Sequence, residues 1–338
     1  MSLVPSLSTA LASALSLFGL AALAIVALLA MPLRRPPPLA SILEGAMKIG
    51  AVERPELRRF QARDGSWLAY RFYPAVDGAA DRLAILVHGS SASSDSMNEV
   101  ARALARAGVA TAAIDARGHG ASGTRGDVGY LGQLDDDLAD LVAELRSRHP
   151  EPRPILIGHS SGGGFALRIA SGPMGKLFGR FVLLAPYLGP AAPTSRPSRW
   201  AIADVPRIIA IGLLTRLGVD WAQAMPVIAF AIAPDRVKFV TPRYSWRLLS
   251  NFAAPWDWKR GFAATAAPID VIVGDDDEMM YVDRYEPALS PYAATTRVRR
   301  VGGVDHIGIL YRPDALAAIV AAARQPTLNS FAPAVDLE

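Results

Sequence analysis

The chain has 338 residues, of which 51% are hydrophobic and 20% are charged, and its formal net charge is +4. This length accommodates one large domain or two smaller ones, and the composition is too apolar for a disordered protein. The Lys and Arg residues are scattered without a long basic run, which argues against nucleic acid as a partner. The sequence contains no cysteine, which excludes disulfides, thiol catalysis and cysteine-based metal or haem sites.

The first segment, residues 1–33, is apolar. No charged side chain occurs between Ser2 and Leu33, and the densest part, from Leu11 to Met31, would form a helix about 31 Å long, the thickness of a bilayer core. A cleaved signal peptide would have a basic n-region and a shorter apolar core, so the segment favours a transmembrane anchor. Arg34 and Arg35 follow it, and the positive-inside rule then predicts a cell-membrane protein whose main domain lies on the cytoplasmic side.

Residues 34–56 are predicted to be a linker, in which Pro36-Pro37-Pro38 would form a stiff spacer. Strand-like runs on either side of Asp64-Gly65 predict a hairpin. From there to residue 188, helical segments alternate with short runs that are apolar throughout: Leu83 to Val87, Val109 to Ile114, Ile155 to Ile157 and Phe181 to Leu184. Such runs predict the first part of an α/β core, a mostly parallel sheet with helices on both faces.

Two of the intervening helices have clear signals. One is predicted to begin with Asp95 as its N-cap and to end at Ala107, before Gly108. The other runs from Leu134 to Arg148 and has its apolar residues on one stripe, as a helix packed on a core requires.

The most informative stretch is Gly158-His159-Ser160-Ser161-Gly162. It lies between an apolar run and a small-residue helical segment, which is the strand, tight turn and helix that a nucleophile elbow requires. Small neighbours let the central serine occupy the apex of a strained turn. The helix that follows directs its first N–H groups and the positive end of its dipole at the place where an oxyanion would form. Because Gly-x-Ser-x-Gly has only three defined positions, the prediction depends on this context.

Residues 189–262 interrupt the alternation and contain many prolines and five of the six tryptophans. We predict a mostly helical cap or lid over the carboxyl edge of the sheet, whose exposed apolar residues could form a lipid-facing entrance. A helical subdomain that simply packs on the core is the alternative. The alternation resumes in residues 263–325, which form the second part of the core and include a closing helix from Pro313 to Ala323. Residues 326–338 are predicted to be a tail.

A serine hydroxyl becomes a nucleophile when a base lies within hydrogen-bond reach and a carboxylate orients that base. Hydrolases built on this elbow place the acid and the histidine after the serine in the chain, and of the five histidines only His306 lies downstream of the elbow. The acid candidates are the four residues after the strand at Ile269: Asp275, Asp276, Asp277 and Glu278.

Together with His88-Gly89 and Asp115-x-Arg117-Gly118-His119-Gly120-x-Ser122, the elbow makes the chain resemble the α/β-hydrolase superfamily. The resemblance is greatest to the monoacylglycerol lipase and lysophospholipase branch, the serine aminopeptidase-like group. It spans about Leu57 to Ala323 and implies the α/β-hydrolase fold. The apparent membrane span and the cap sequence depart from the family pattern, so the resemblance does not identify the substrate.

The resemblance also implies site residues. In this family the acid follows Gly-x-x-Asp, which selects Asp277, and the base sits in a glycine turn that Gly303-Val304-Asp305-His306 matches. The family template places an oxyanion hole at two backbone N–H groups, one from Ser161 and one from Ser90, with Gly89 as the alternative to Ser90.

These observations predict a membrane-anchored serine hydrolase that cleaves a carboxylic ester, with Ser160, Asp277 and His306 as the catalytic residues and no metal or organic cofactor. A lipid-like substrate of the monoacylglycerol or lysophospholipid type is favoured by the apolar anchor and cap. An acyltransferase using the same triad is one alternative, and a non-catalytic membrane-bound binding protein is another. The sequence does not determine the acyl chain length, the head group or the oligomeric state.

Overall fold

The computed structural model of the protein describes residues 7–39, 53–76, 82–149, 153–197, 199–233, 235, 237 and 240–326. Most of the predicted linker (residues 40–52) and nearly all of the predicted tail (residues 327–338) lie outside the described residues. In chain order the helices and strands are α1 (Leu7–Ala30), β1 (Leu57–Gln61), β2 (Trp67–Tyr73), β3 (Arg82–Val87), α2 (Asn98–Arg106), β4 (Val109–Ile114), α3 (Gln133–Arg146), β5 (Ile155–His159), α4 (Ser161–Ser171), β6 (Arg180–Leu184), β7 (Ala201–Ala203), α5 (Val205–Arg216), β8 (Pro226–Phe230), β9 (Arg243–Ser245), α6 (Trp246–Asn251), α7 (Trp258–Ala264), β10 (Ile269–Gly274), α8 (Tyr285–Leu289), β11 (Thr296–Val301) and α9 (Pro313–Ala323).

The central sheet has eight strands in the order β1-β2-β4-β3-β5-β6-β10-β11. Strand β2 is antiparallel to both of its neighbours, β1 and β4, and every other neighbouring pair is parallel. The predicted hairpin turn is present, with Gly65 at a φ of 83°. The prediction of an α/β-hydrolase fold with a mostly parallel sheet is therefore confirmed.

Alternate side chains of each strand enter different halves of the core because a strand has a period of two. In β3, Leu83, Ile85 and Val87 belong to the half that also contains residues of α3 and α4. Its other residues, Ala84 and Leu86, belong to the half that contains residues of α2 and α9. Helices therefore cover both faces of the sheet, and the carboxyl ends of the parallel strands meet at one edge, where such sheets place their sites.

The predicted helices are present, with one change of detail. The apolar stripe of α3 is buried as expected, and α9 has the predicted bounds. The helix predicted from Asp95 to Ala107 instead consists of a 3₁₀ turn, Ser94–Met97, followed by α2. Asp95 is not an N-cap, because it lies inside the 3₁₀ turn, whose N-cap position is Ser93, and its carboxylate instead accepts a hydrogen bond from Arg71 Nε at 2.9 Å.

The cap segment, residues 189–262, contains α5, α6 and most of α7, but also an antiparallel sheet of three strands in the order β7-β8-β9. This sheet differs from the mostly helical cap that the sequence predicts, because its strands have only three to five residues, too few for an alternating pattern to be recognised. The cap contacts the loop after β3: Trp200 Nε1 donates to Ser90 Oγ at 3.0 Å, and the Thr241 N–H donates to the Ser91 carbonyl at 2.9 Å.

By length and composition, Leu11–Ala30 within α1 fits a membrane span, with a mean hydropathy of 2.4. Its carboxyl-terminal end packs on the cap, where Leu29 joins a small apolar cluster with Ile211, Ala222 and Val227. The guanidinium of Arg207 donates to the carbonyl of Leu28 at 3.4 Å and also to the carbonyl of Met31. After α1, the N–H of Leu39 donates to the carbonyl of Ala231 at 3.3 Å, so this end of the predicted linker also packs on the cap.

Candidate active site

The candidate nucleophile Ser160 is half-buried between β5 and α4, with a φ of 52° and a ψ of −116°. A positive φ in a non-glycine residue costs about 1–3 kcal/mol and persists only where the surroundings enforce it. Here the Ser160 N–H donates to the Leu184 carbonyl at 2.8 Å, and the Ser160 carbonyl accepts from the N–H groups of Gly164 and Tyr187 at 3.1 and 3.0 Å. The central residue of the predicted elbow is therefore the strained one.

The glycines of the elbow permit close approach of neighbouring backbone. A Cβ at Gly158 would overlap the carbonyl of Gly162, and a Cβ at Gly162 would overlap the carbonyl oxygens of Val87 and His88. The first turn of α4 can therefore pack directly on the end of β3 only while these positions lack a side chain.

Replacing Gly162 by alanine should lower the free energy of unfolding by about 1–3 kcal/mol, because the new methyl group must push the β3 backbone away. The thermal unfolding midpoint measures this change. Gly302→Ala is the matched control, since a Cβ there meets nothing within 4 Å. Equal midpoints for the two variants would show that the elbow is less tightly packed than described.

The loops after β10 and β11 bring Asp277 and His306 together. Asp277 Oδ2 lies 2.8 Å from His306 Nδ1, and both side chains are buried, with exposed fractions of 0% and 4%. The second carboxylate oxygen of Asp277 accepts the N–H groups of Met279 and Met280 at 2.8 and 2.9 Å. The carboxylate is therefore held in one orientation and in turn orients the imidazole.

The other acidic residues near His306 have different partners. Asp275 is exposed and pairs with Arg300 at 2.6 Å, and Asp276 is exposed. Glu278 accepts the backbone N–H of His306 at 3.1 Å. Asp305 accepts the N–H of Gly308 at 2.5 Å. Of the four acids that the sequence left open, only Asp277 contacts the imidazole.

Burial opposes the charged form of His306, but the charge of Asp277 and its hydrogen bond outweigh burial and raise the pKa of His306 above its ordinary value of 6.5. Burial would raise the pKa of the Asp277 carboxyl, but the His306 charge and the hydrogen bonds that Asp277 accepts lower it below 3.8. The pair thus stabilises an imidazolium next to a carboxylate, which a histidine base needs once it has taken a proton.

His159 supports the His306 loop. Its Nε2–H donates to the His306 carbonyl at 3.1 Å, and the two rings lie 4.9 Å apart. Burial, together with the charge of His306, lowers the pKa of His159 to about 3, so this ring is neutral. No local sequence signal indicates this role, because the partner of His159 is the backbone of a distant loop.

Within the part of the chain that the structure describes, neither the Ser160 hydroxyl nor His306 Nε2 has a hydrogen-bond partner. The candidate base and the candidate nucleophile therefore lie on adjoining loops that meet at His159, and no hydrogen bond joins the two side chains. Such bonds are often long without substrate and tighten when it binds.

The loop predicted to complete the oxyanion hole lies beside the elbow. A Cβ at Gly89 would lie 3.0 Å from His159 Nδ1 and 3.4 Å from Ser160 Cβ. Among the described residues, the backbone N–H groups of Ser90 and Ser161 donate no hydrogen bond. Two unused donors next to a nucleophile are the arrangement that an oxyanion requires.

A side chain of the cap forms a hydrogen bond with the loop after β3. The hydroxyl of Tyr244, on β9, accepts the N–H of Ser91 at 2.6 Å and donates to Nε2 of His119 at 2.7 Å. Burial lowers the pKa of His119 well below 6.5, so its ring is neutral and has an accepting nitrogen. Ser91 has a strained φ of 67°, which these contacts maintain.

Replacing Tyr244 by phenylalanine should lower kcat about tenfold with little change in KM, because a displaced oxyanion donor loses part of the 10²–10³ that such donors contribute. Steady-state kinetics on a p-nitrophenyl ester measures the two constants. Tyr73→Phe is the matched control, since its buried hydroxyl donates to Asn98 Oδ1 at 2.8 Å, on α2 rather than on the loop after β3. If both variants lost kcat equally, the effect would be one of general stability.

Among the residues with described positions, no group of three or more His, Asp or Glu side chains has the arrangement of a metal site.

The chain matches a known protein family and a protein of similar sequence. The family model described as serine aminopeptidase, S33 matches residues 78–285. The monoacylglycerol lipase of Mycolicibacterium smegmatis is 28% identical over 202 residues, which cover 59% of this chain and 71% of that protein.

Two solved structures are similar in fold. A monoglyceride lipase from Saccharomyces cerevisiae, in complex with a substrate analog, has a TM-score of 0.59 at 18% identity, over 80% of this chain and 93% of that chain. The monoacylglycerol lipase of Paleococcus ferrophilus has a TM-score of 0.52 at 20% identity, over 75% of this chain and 99% of that chain.

Proposed function

Because the chain belongs to the serine aminopeptidase S33 family of α/β-hydrolases, we propose that it hydrolyses a lipid-like carboxylic ester through an acyl-enzyme on Ser160. The observation that carries this proposal is the buried Asp277–His306 pair beside the strained elbow serine. Elbow, base and acid come from three separate loops at one edge of the sheet. Such a convergence is expected for a site that activates a serine.

In the proposed reaction the Ser160 hydroxyl attacks the ester carbonyl carbon while His306 Nε2 accepts its proton. The carbonyl oxygen becomes an oxyanion and is bound by the N–H groups of Ser161 and Ser90. His306 then gives the proton to the departing alcohol, which leaves an acyl group on Ser160. Water, deprotonated by the same imidazole, attacks this acyl-enzyme, and the carboxylic acid is released as His306 returns the proton to Ser160.

A monoacylglycerol or lysophospholipid type of substrate is supported by the relatives' names and by the apolar surfaces of this chain. The relative from Mycolicibacterium smegmatis is named a monoacylglycerol lipase, and the two solved structures described above carry similar names at 18% and 20% identity. We place the protein at the cell membrane, anchored by α1, with the hydrolase domain on the cytoplasmic side, where Arg34 and Arg35 are exposed. The contacts of α1 with the cap favour a retained helix over a cleaved signal sequence.

The proposal is tested with the full chain in detergent, because α1 packs on the cap. A fluorophosphonate probe should label the wild type and should fail to label Ser160→Ala. A p-nitrophenyl ester series from acetate to palmitate should show turnover with an optimum among the longer chains. Absence of both labelling and turnover would favour a binding protein, and labelling with an acetate optimum would remove the lipid-like substrate while retaining the hydrolase.

A further inference from the structure

We propose that Arg196 and Arg284, which both stack on the ring of Tyr281, form a subsite for an anionic head group on the alcohol side of the candidate active site. The ester that this chain favours is then one whose alcohol carries a phosphate, rather than a neutral monoacylglycerol. The proposal rests on the proposed hydrolase function and selects between the two substrate types that this function leaves open. We call these three residues the arginine subsite.

One aromatic ring holds both guanidinium groups of the arginine subsite. The Cζ atom of Arg284 lies 3.9 Å from the centroid of the Tyr281 ring, and the Cζ atom of Arg196 lies 4.8 Å from it. Nη1 of Arg284 also donates to the Pro193 carbonyl at 3.3 Å. The ring attracts each cation, but two like charges held at one ring repel each other. An anion that binds between them would relieve this repulsion.

Backbone pairing brings the two arginines together from distant parts of the chain. The N–H of Tyr281 donates to the carbonyl of Thr194 at 2.8 Å, and Met280 forms an antiparallel bridge with Ser195. The beginning of the cap, which carries Arg196, is thereby fixed against the turn after β10, which carries the other arginine. The fold itself therefore places the two cations side by side.

The arginine subsite lies on the side of the site that receives the departing alcohol. Met280, next to Tyr281, donates its N–H to Asp277 Oδ1 at 2.9 Å, and Asp277 orients the imidazole of His306. Since His306 gives its proton to the departing alcohol, that alcohol must lie next to this imidazole. A phosphate a few bonds beyond the ester oxygen would then lie near the turn that carries Tyr281.

The first segment of the cap is positively charged. Residues 189–203 include two arginines, Arg196 and Arg199, and no acidic residue. Both arginines are exposed. The later part of the segment reaches the loop that carries an oxyanion donor, because Trp200 Nε1 donates to Ser90 Oγ at 3.0 Å. The segment thus extends from the turn after β10 to the loop after β3 and gives this part of the site a potential that attracts anions.

Among the residues whose positions the structure gives, no carboxylate forms a salt bridge with Arg196 or Arg284. The acidic residues of the same turn, Asp283 and Glu286, are near enough to Arg300 to stabilise its charge. The remaining guanidinium N–H groups of the arginine subsite are therefore open to a ligand. Arginine binds phosphate through two parallel hydrogen bonds, so a phosphate is the anion that fits them.

The test compares two substrates that differ only in the head group, 1-octanoylglycerol and 1-octanoylglycerol 3-phosphate. In both, water cleaves the acyl–oxygen bond and releases octanoic acid, and the phosphate ester stays intact. The full chain is used in a nonionic detergent, so that no charged micelle biases the comparison. We expect kcat/KM of the wild type to be about tenfold higher for the phosphate substrate, and this ratio to fall at high salt, which screens exposed charges.

Arg196→Gln and Arg284→Gln should each lower the ratio of kcat/KM for the phosphate substrate to that for the neutral one about fivefold, mainly through KM, because an exposed charge pair contributes up to about 1 kcal/mol. Arg284→Glu should lower the ratio further, since a like charge repels the phosphate. Arg148→Gln is the matched control for lost charge, because Arg148 is exposed and precedes β5, at the other end of that strand from the elbow. It should leave the ratio unchanged. The ratio compares two substrates on one protein, so partial unfolding of a variant does not change it.

Four results would overturn the proposal, and they are distinguishable. If the wild type hydrolyses both substrates equally well or prefers the neutral one, the arginine subsite is wrong and the hydrolase stands. If Arg148→Gln lowers the ratio as much as Arg284→Gln, the preference reflects the net charge of the protein. If inorganic phosphate inhibits turnover of 1-octanoylglycerol while the phosphate substrate is not preferred, the arginines bind free phosphate rather than a head group. If neither substrate is hydrolysed, the proposed function itself fails and the subsite fails with it.

Discussion

Alanine at position 160 should reduce kcat for p-nitrophenyl ester hydrolysis at least about a thousandfold, because loss of one triad member removes covalent catalysis and leaves only binding and the oxyanion donors. The elbow geometry supports this size of effect, because a serine with only a structural role would not require the strained backbone conformation that Ser160 has. Single-turnover kinetics with a long-chain ester measures the loss and shows whether an acyl-enzyme accumulates in the wild type.

Ser147→Ala provides the comparison for this variant. The Ser147 hydroxyl is exposed and donates to the carbonyl of Glu144 at 2.7 Å, at the C-terminal end of α3. We expect wild-type kinetics for it. A Ser160→Ala protein that retained more than about a tenth of wild-type kcat, while folded by circular dichroism, would contradict the acyl-enzyme mechanism.

Replacing Asp277 by asparagine should lower kcat about ten-thousandfold, because the amide no longer holds the imidazole in the tautomer that presents a basic Nε2 to the serine. The geometry should survive, since asparagine is isosteric and its carbonyl oxygen can still accept the N–H groups of Met279 and Met280. Kinetics beside thermal unfolding separates a chemical effect from a structural one.

The pH dependence supplies an independent check on the same pair. His306 must be neutral to act as a base, so kcat/KM of the wild type should be low in acid and rise through the pKa of His306, which lies above 6.5. Burial lowers that pKa and Asp277 raises it, so Asp277→Asn should move the rise to lower pH.

Asp275→Asn is the matched control for this shift, because Asp275 is exposed and pairs with Arg300. It should leave both the rate and the midpoint unchanged. An identical midpoint in wild type and Asp277→Asn would mean that a different group titrates in the profile.

Local patterns in the sequence were sufficient for most of the sheet and for the candidate nucleophile. The run Val109–Ile114 forms a strand with the predicted bounds, since apolar composition and flanking turn residues act over a few positions. The elbow was recognisable because its first glycine is required by a contact within the same short stretch, since a Cβ at Gly158 would overlap the carbonyl of Gly162. The chain order of serine, acid and histidine then led to His306.

Other features depended on contacts between distant parts of the chain. Tyr244 meets His119 across 125 positions of sequence, and no local pattern in β9 distinguishes it from an ordinary strand residue. The same holds for His159, whose partner is the carbonyl of His306. The short strands of the cap form because neighbouring strands supply their hydrogen bonds. The amino-acid composition of so short a strand does not indicate which strand will pair with it.

The sequence by itself therefore determined the α/β architecture, the elbow at Ser160 and the loops that carry the candidate acid and the candidate base, because apolar periodicity and glycine steric requirements are local. Only the tertiary structure decided which acid contacts His306, what supports the loop at Ser91, and that α1 packs on α5. Each of these is a pairing between segments far apart in the chain, and its partner is defined by packing of the whole fold rather than by neighbouring residues.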